Sequence, residues 1–236
     1  MRRVELRARE APSGNVLTDL IVESRSVWRV EILEMIADER RRLADLADSL
    51  TDKQLETRSL CDAWTTKEVI GHLVAVVTAS HATALKLLLT SAFNIHKANA
   101  RLAALTADRP AAELAALLRE HATNPFRPPV VGYPGALTDL QVHGQDVRRP
   151  LGLPHNLLPD RLRVSLEFLT GGRAVGFTPK ARPAGLRFET TDVDWAWGDG
   201  PVVRGTGEAV IVALAGRRVA LADLDGDGVA VLRSRR

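Results

Sequence analysis

The stretch Leu137–Gly152, LTDLQVHGQDVRRPLG, places three ligand-type side chains within eight positions. On a helix, Asp139 and His143 stand at i and i+4, and His143 and Asp146 at i and i+3, so all three project from one face. A carboxylate and an imidazole one turn apart grip a divalent cation with little rearrangement, but two ligands do not close a tetrahedral site. A third has to come from another element, and the rest of the chain is read for it.

Upstream, Thr65 and Glu68 form a T-x-x-E capping box, which predicts a helix running from about Thr66 to Leu89. His72 falls in its second turn, on a stripe with Val69, Val76 and Ala79. Taken alone, a histidine on an apolar stripe reads as a hydrogen-bonded core residue. A later helix that lacks one ligand makes it the candidate, because bundles assemble sites from inward side chains on separate helices. His81, His96, His121 and His155 have less to recommend them.

The remaining pattern is mostly helical. Val30, Leu33, Ile36, Leu43, Leu46 and Leu50 recur near helical spacing and predict a first helix over about 26–50, with ERRRLAD as its solvated face. Residues 1–25 read as an N-terminal extension, either loose or a weak leading helix. Further helices are predicted over about 92–107, 111–122 and 159–174, and the proline-rich segment 124–135 reads as a loop. Together these make a helical bundle over residues 26–176. Phe177–Ala184, with two prolines, reads as a linker to a small α/β domain over residues 185–236, with short strands, a helix near 208–215 and a last strand over Val229–Arg233. Asp223, Asp225, Asp227 and Gly228 match half of a calcium loop, but Ser234 stands where a bidentate glutamate is required, so this is a turn.

Composition bounds the partners. A chain of 236 residues, 45% hydrophobic, buries one generous core or two modest ones. The single cysteine, Cys61, excludes an intramolecular disulfide and fits a reducing compartment or, equally, a cysteine-poor exported protein. With no apolar run near the roughly 20 residues that span a bilayer, and a charged N-terminal stretch, a soluble cytoplasmic protein without a membrane partner is expected. The net charge is +3, but the arginines are scattered among 29 acidic residues, so no nucleic-acid partner is expected.

CDAWTTKEVIGHL (61–73) followed by DLQVHGQDVRRPLG (139–152) resembles the DinB-like metalloprotein superfamily, in particular the branch of mycothiol-dependent maleylpyruvate isomerase. TDVDWAWGDGPVVRGTGEAVIVALAGR (191–217) resembles that branch's small C-terminal domain. The resemblance implies an α+β protein: an N-terminal DinB-like four-helix bundle with a small C-terminal α/β domain. It implies a divalent metal, with zinc expected, on His72, Asp139 and His143, where Asp139 stands in place of the family's glutamate. It also implies mycothiol as the thiol cofactor and a small, electrophilic, anionic substrate. A catalytic arginine in the C-terminal domain is implied as well. The segment AGR suggests Arg217, with Arg204 and Arg218 close by.

Two imidazoles and one carboxylate leave open positions on a zinc-like ion, as in catalytic rather than structural sites. Asp146 suits a group that orients a metal-bound imidazole, although a surface aspartate near a helix end is the plainer reading. Arg148 and Arg149 either guide an anion or complement the helix C-terminus, and Cys61 and Trp64 read as packing at the entrance of the second helix. The expected function is a mycothiol-dependent isomerase or thiol transferase. Two alternatives are a non-catalytic metal- or ligand-binding stress-response protein and an apolar-ligand carrier with a cavity lined by Leu186, Phe188, Val210 and Leu214.

Overall fold

The computed structural model describes residues 16–61, 64–155 and 157–235. It is mostly helical, with one small sheet near the C-terminus. Helix α1 spans Val16–Ser49, a short α2 Asp52–Leu55, α3 Thr66–Thr78, α4 His81–Thr90, α5 Ile95–Ala107, α6 Ala111–Glu120 and α7 Gly132–Arg148. Helix α1 starts about three turns earlier than expected; the rest of the N-terminal extension lies outside the described residues. Its buried stripe is Ile32, Ile36, Leu43, Ala44 and Ala47, rotated from the one read in the sequence, and Val30 is exposed. ERRRLAD is not a wholly wet face either. Glu39 and Arg40 are buried, and Arg40 Nη1 donates to the carbonyls of His121, Ala122 and Asn124, closing the C-terminal end of α6.

The capping box at α3 forms as read: Glu68 N donates to Thr65 Oγ1 at 3.2 Å, and Thr65 N donates to Glu68 Oε2 at 2.7 Å. This cap, worth about 1 kcal/mol, fixes where the helix begins and hence where His72 points. The helix stops earlier than predicted. Ala79 turns extended, and Ser80 caps α4 by accepting from Thr83 N at 3.1 Å, so one periodic run becomes two helices. Gly71 lets α3 meet α5 closely, since a Cβ there would lie 2.8 Å from the Ala103 carbonyl. Helix α7 begins inside the segment read as a loop. Pro134 sits in its first turn, where no intrahelical N–H is needed.

Helices α1, α3, α6 and α7 enclose one core containing Ile36, Leu43, Ile70, Leu73, Leu114, Leu118, Leu137 and Leu140. Helix α8, Pro159–Thr170, turns Leu162, Leu166, Phe168 and Leu169 toward a second core. That core is completed by strands β1 Arg187–Thr190, β2 Ala196–Trp197 and β3 Val202–Gly205, ordered β2-β1-β3, and by the fully buried helix α9 Gly207–Leu214. β1 runs antiparallel to β2 and parallel to β3.

A 3-10 turn, Arg218–Asp223, follows, and then the segment expected as a last strand is helix α10, Gly228–Ser234. Val229 and Leu232 are buried at i and i+3, the helical rather than the alternating spacing. The aspartate run is a turn, as read: Asp227 Oδ1 accepts from Val202 N at 2.9 Å and ties that turn to β3. Leu186, Phe188, Val210 and Leu214 have no accessible surface, so they line no cavity large enough even for water. The apolar-carrier expectation fails on that packing.

Arg149 joins the two cores. It donates from Nε to Glu208 Oε1 at 2.7 Å and from Nη2 to Glu208 Oε2 at 2.5 Å, and from Nη1 to Asp223 at 2.7 Å. No helix among the described residues is long and apolar enough to cross a membrane.

Candidate metal centre

Helices α3 and α7 bring His72, Asp139 and His143 together. Asp139 lies between the imidazoles, with Oδ2 at 3.5 Å from His72 Nε2 and Oδ1 at 3.5 Å from His143 Nε2. Donors bound to a zinc-like ion at about 2.0–2.1 Å sit about 3.4 Å apart at the tetrahedral angle, whereas a closed charge-assisted hydrogen bond shortens to about 2.7–2.9 Å. The two spacings fit donors around one cation better than closed ion pairs, and the three donor atoms lie within 4.8 Å of one another. The three residues could therefore hold a divalent metal, with the aspartate between the two imidazoles. Both histidines are buried, while the Asp139 side chain is 24% exposed, so the centre opens on the carboxylate's side.

The other edge of His143 is held firmly. Its Nδ1 lies 2.8 Å from Asp146 Oδ2, a carboxylate that only accepts, so Nδ1 carries a proton in either charge state, and when the ring is neutral, as a metal ligand must be, the lone pair is on Nε2, the nitrogen beside Asp139. Asp146, fully buried, is not the surface aspartate of the plainer reading. Arg217 reaches it from the C-terminal half, donating from Nε to Oδ1 at 2.9 Å and from Nη2 to Oδ2 at 2.6 Å. Of the three arginines weighed from the sequence, Arg217 is the one at the centre. Arg204 pairs with Glu189 at the sheet surface, and Arg218 donates to the Arg233 carbonyl.

Cys61 completes this network: its Sγ lies 3.4 Å from Asp146 Oδ2, 3.3 Å from Arg217 Nη2 and 3.9 Å from His143 Nδ1. Cys61, His143 and Asp146 also lie close enough to hold a metal ion. The guanidinium against two of the three donors argues against a cation there and for a hydrogen-bonded cluster. Trp64 stacks over the centre, its ring 5.0 Å from that of His72 and 5.8 Å from that of His143. The loop before α3 puts it there: Ser59 N donates to the Trp64 carbonyl at 3.0 Å, and Leu60 N donates to the Asp146 carbonyl at 3.1 Å. Sequence reading missed this role of Cys61 and Trp64, since only their position just ahead of the capping box hinted at it.

The electrostatics follow from these contacts. Burial disfavours charge on His143, but the Asp139 carboxylate and the hydrogen bonds to Asp146 and Cys61 outweigh it and push the imidazole up to about 10. Burial likewise opposes ionisation of Asp146, yet His143 and Arg217 hold it below the usual carboxylate range. Asp139 is lowered too, burial being overcome by the two histidines and Arg217. Among the protein's own groups, the centre holds its two carboxylates ionised.

Residues 36–125 match the family model of the mycothiol maleylpyruvate isomerase N-terminal domain. The matched stretch contains Cys61, Trp64 and His72, and it ends before α7 supplies Asp139 and His143. No curated protein and no solved structure matches the chain. Residues 36–125 thus carry the similarity to the mycothiol maleylpyruvate isomerase N-terminal domain.

Proposed function

We propose that the protein is a metal-dependent enzyme that uses mycothiol to isomerise or conjugate a small electrophilic anion, with His72, Asp139 and His143 as metal ligands. The observation that carries this reading is the arrangement of their donors at 3.5 Å separations, backed by the Asp146–Arg217 pair. A divalent cation bound there, zinc by expectation, supplies Lewis acidity that lowers the pKa of a coordinated thiol and makes thiolate available at neutral pH.

The chain's own groups hold that chemistry in place. Asp146 keeps the His143 proton on Nδ1, and Arg217 neutralises Asp146. Trp64 covers the imidazoles and excludes water from their side of the centre. Four of the five guanidinium N–H bonds of Arg217 have acceptors in Asp146, Cys61 and the Ala215 carbonyl. The remaining one on Nη1 is proposed to meet a substrate carboxylate.

The same engagement of Arg217 favours a second reading, a metal-binding protein of this fold without turnover, because an arginine so fully bonded is a structural anchor first. Elemental analysis with mycothiol titration separates the two. The enzyme reading expects about one metal per chain, perturbed by mycothiol. His72→Ala and His143→Ala are each expected to lose the metal and thiol-dependent turnover while still folding. Metal retained in both variants sinks the ligand assignment, and metal that mycothiol leaves unperturbed favours the second reading.

A further inference from the structure

A cavity of about 350 Å³ opens between the C-terminal half of α1 and the connection from α7 to α8. Its volume is within the range of small-molecule sites. Arg42, Asp45 and Ser49 line it from successive turns of α1, Arg148 from the end of α7, and Leu153 and Pro154 from the connection. Arg148 lies nine residues beyond Asp139, which at 3.6 residues per turn sets it on the opposite side of α7 from the metal ligands.

Arg148 is unusual in the molecule. The residue is only 8% exposed, yet among the described residues its guanidinium makes no hydrogen bond or ion pair to the protein. The nearby acids are engaged elsewhere: Glu39 Oε1 bonds Arg161 at 2.6 Å, and Asp45 bonds Arg119 at 2.7 Å. The berth itself is shaped for the guanidinium. A Cβ at Gly144 would lie 3.1 Å from Arg148 Nη1 and 3.3 Å from Leu43 Cδ2, so glycine leaves the space that the arginine fills.

Burial lowers the Arg148 pKa, with Glu39 opposing the shift and Arg42 adding to it, so the one nearby carboxylate does not offset burial. A guanidinium on a cavity wall that makes no hydrogen bond within the protein is matched best by two oxygens of one anionic group. We propose that this cavity is a second binding site, distinct from the metal centre, for a small ligand carrying a carboxylate or phosphate, with Arg148 as its anchor and Arg42 adding positive charge at its wall. The site does not depend on the proposed reaction.

The test is calorimetric titration of the full-length protein with succinate and with inorganic phosphate at constant ionic strength, repeated in Arg148→Met, Arg148→Lys and His72→Ala. One saturable site per chain is expected for at least one probe, and the order of affinity identifies carboxylate or phosphate as the natural group. Arg148→Met should weaken binding about tenfold or more, Arg148→Lys less, and His72→Ala should bind as the native chain does. Absence of saturable binding of both probes across the millimolar range, or binding unchanged in Arg148→Met, overturns the proposal. So does a lower melting temperature of Arg148→Met in anion-free buffer, because that would mean the guanidinium already has a protein partner.

Discussion

The two cores of this protein bury very different things. Around α9 the interior is almost wholly apolar, with Leu186, Phe188, Val210, Ile211 and Leu214 excluding solvent entirely. The bundle, by contrast, buries Glu39, Arg40, His72, Thr138, Gln141, His143, Gln145, Asp146 and Arg148 among its leucines. Burying polar groups is costly unless they are paired, so the difference separates the region of apolar packing from the region of the candidate metal centre. The C-terminal half supplies rigidity and lends one residue, Arg217, to a centre whose other parts come from the bundle and the loop before α3.

That contrast gives its largest expected effect in the apolar core. Phe188→Ala should cost about 3–5 kcal/mol in denaturant unfolding, while metal bound per folded chain at low temperature stays near the native value. Loss of metal in step with stability would show that the two regions are not separable. Arg149→Met tests the seam. It leaves Glu208 buried beside a single partial partner, His155 at 3.6 Å, and should cost about 3 kcal/mol. A cost well below 1 kcal/mol would mean that apolar contact alone joins the halves.

Smaller effects sharpen the chemical side. Asp146→Asn keeps the shape but removes the charge that Arg217 and His143 share, and metal affinity, measured by competition with a chelator, should fall about 10–100-fold. Affinity unchanged in that variant would make Asp146 a packing residue. Trp64→Phe should change stability by about 1 kcal/mol or less and abolish most of any quenching of intrinsic fluorescence on metal addition, because Trp64 is the tryptophan whose ring contacts both imidazoles. Quenching that persists would move the metal away from His72 and His143.

Much of the bundle was legible because its signals are local. The Thr65–Glu68 cap depends on four consecutive residues, and the Asp139–His143 spacing depends only on helical pitch, so both could be read before any packing was known. The errors were made where neighbours decide. Ala79 and Ser80 broke a run whose hydrophobicity continued unchanged. Val229–Arg233 has a β-branched composition, but packing against β3 and the 3-10 turn favoured a helix. Arg40 belonged to a basic cluster that reads as solvated, yet it lies buried because the carbonyls at the end of α6 need a donor.

The sequence by itself determined most of the bundle's helical periodicity, the Thr65–Glu68 cap and the ligand-type side chains on α7, since these are set by side-chain chemistry within a few residues. Only the tertiary structure decided that His72 faces Asp139, that Arg217 rather than Arg204 or Arg218 reaches Asp146, and that Cys61 and Trp64 close around the imidazoles. Each of those joins residues far apart in the chain, and such contacts are fixed by how two cores dock. No local pattern encodes that geometry.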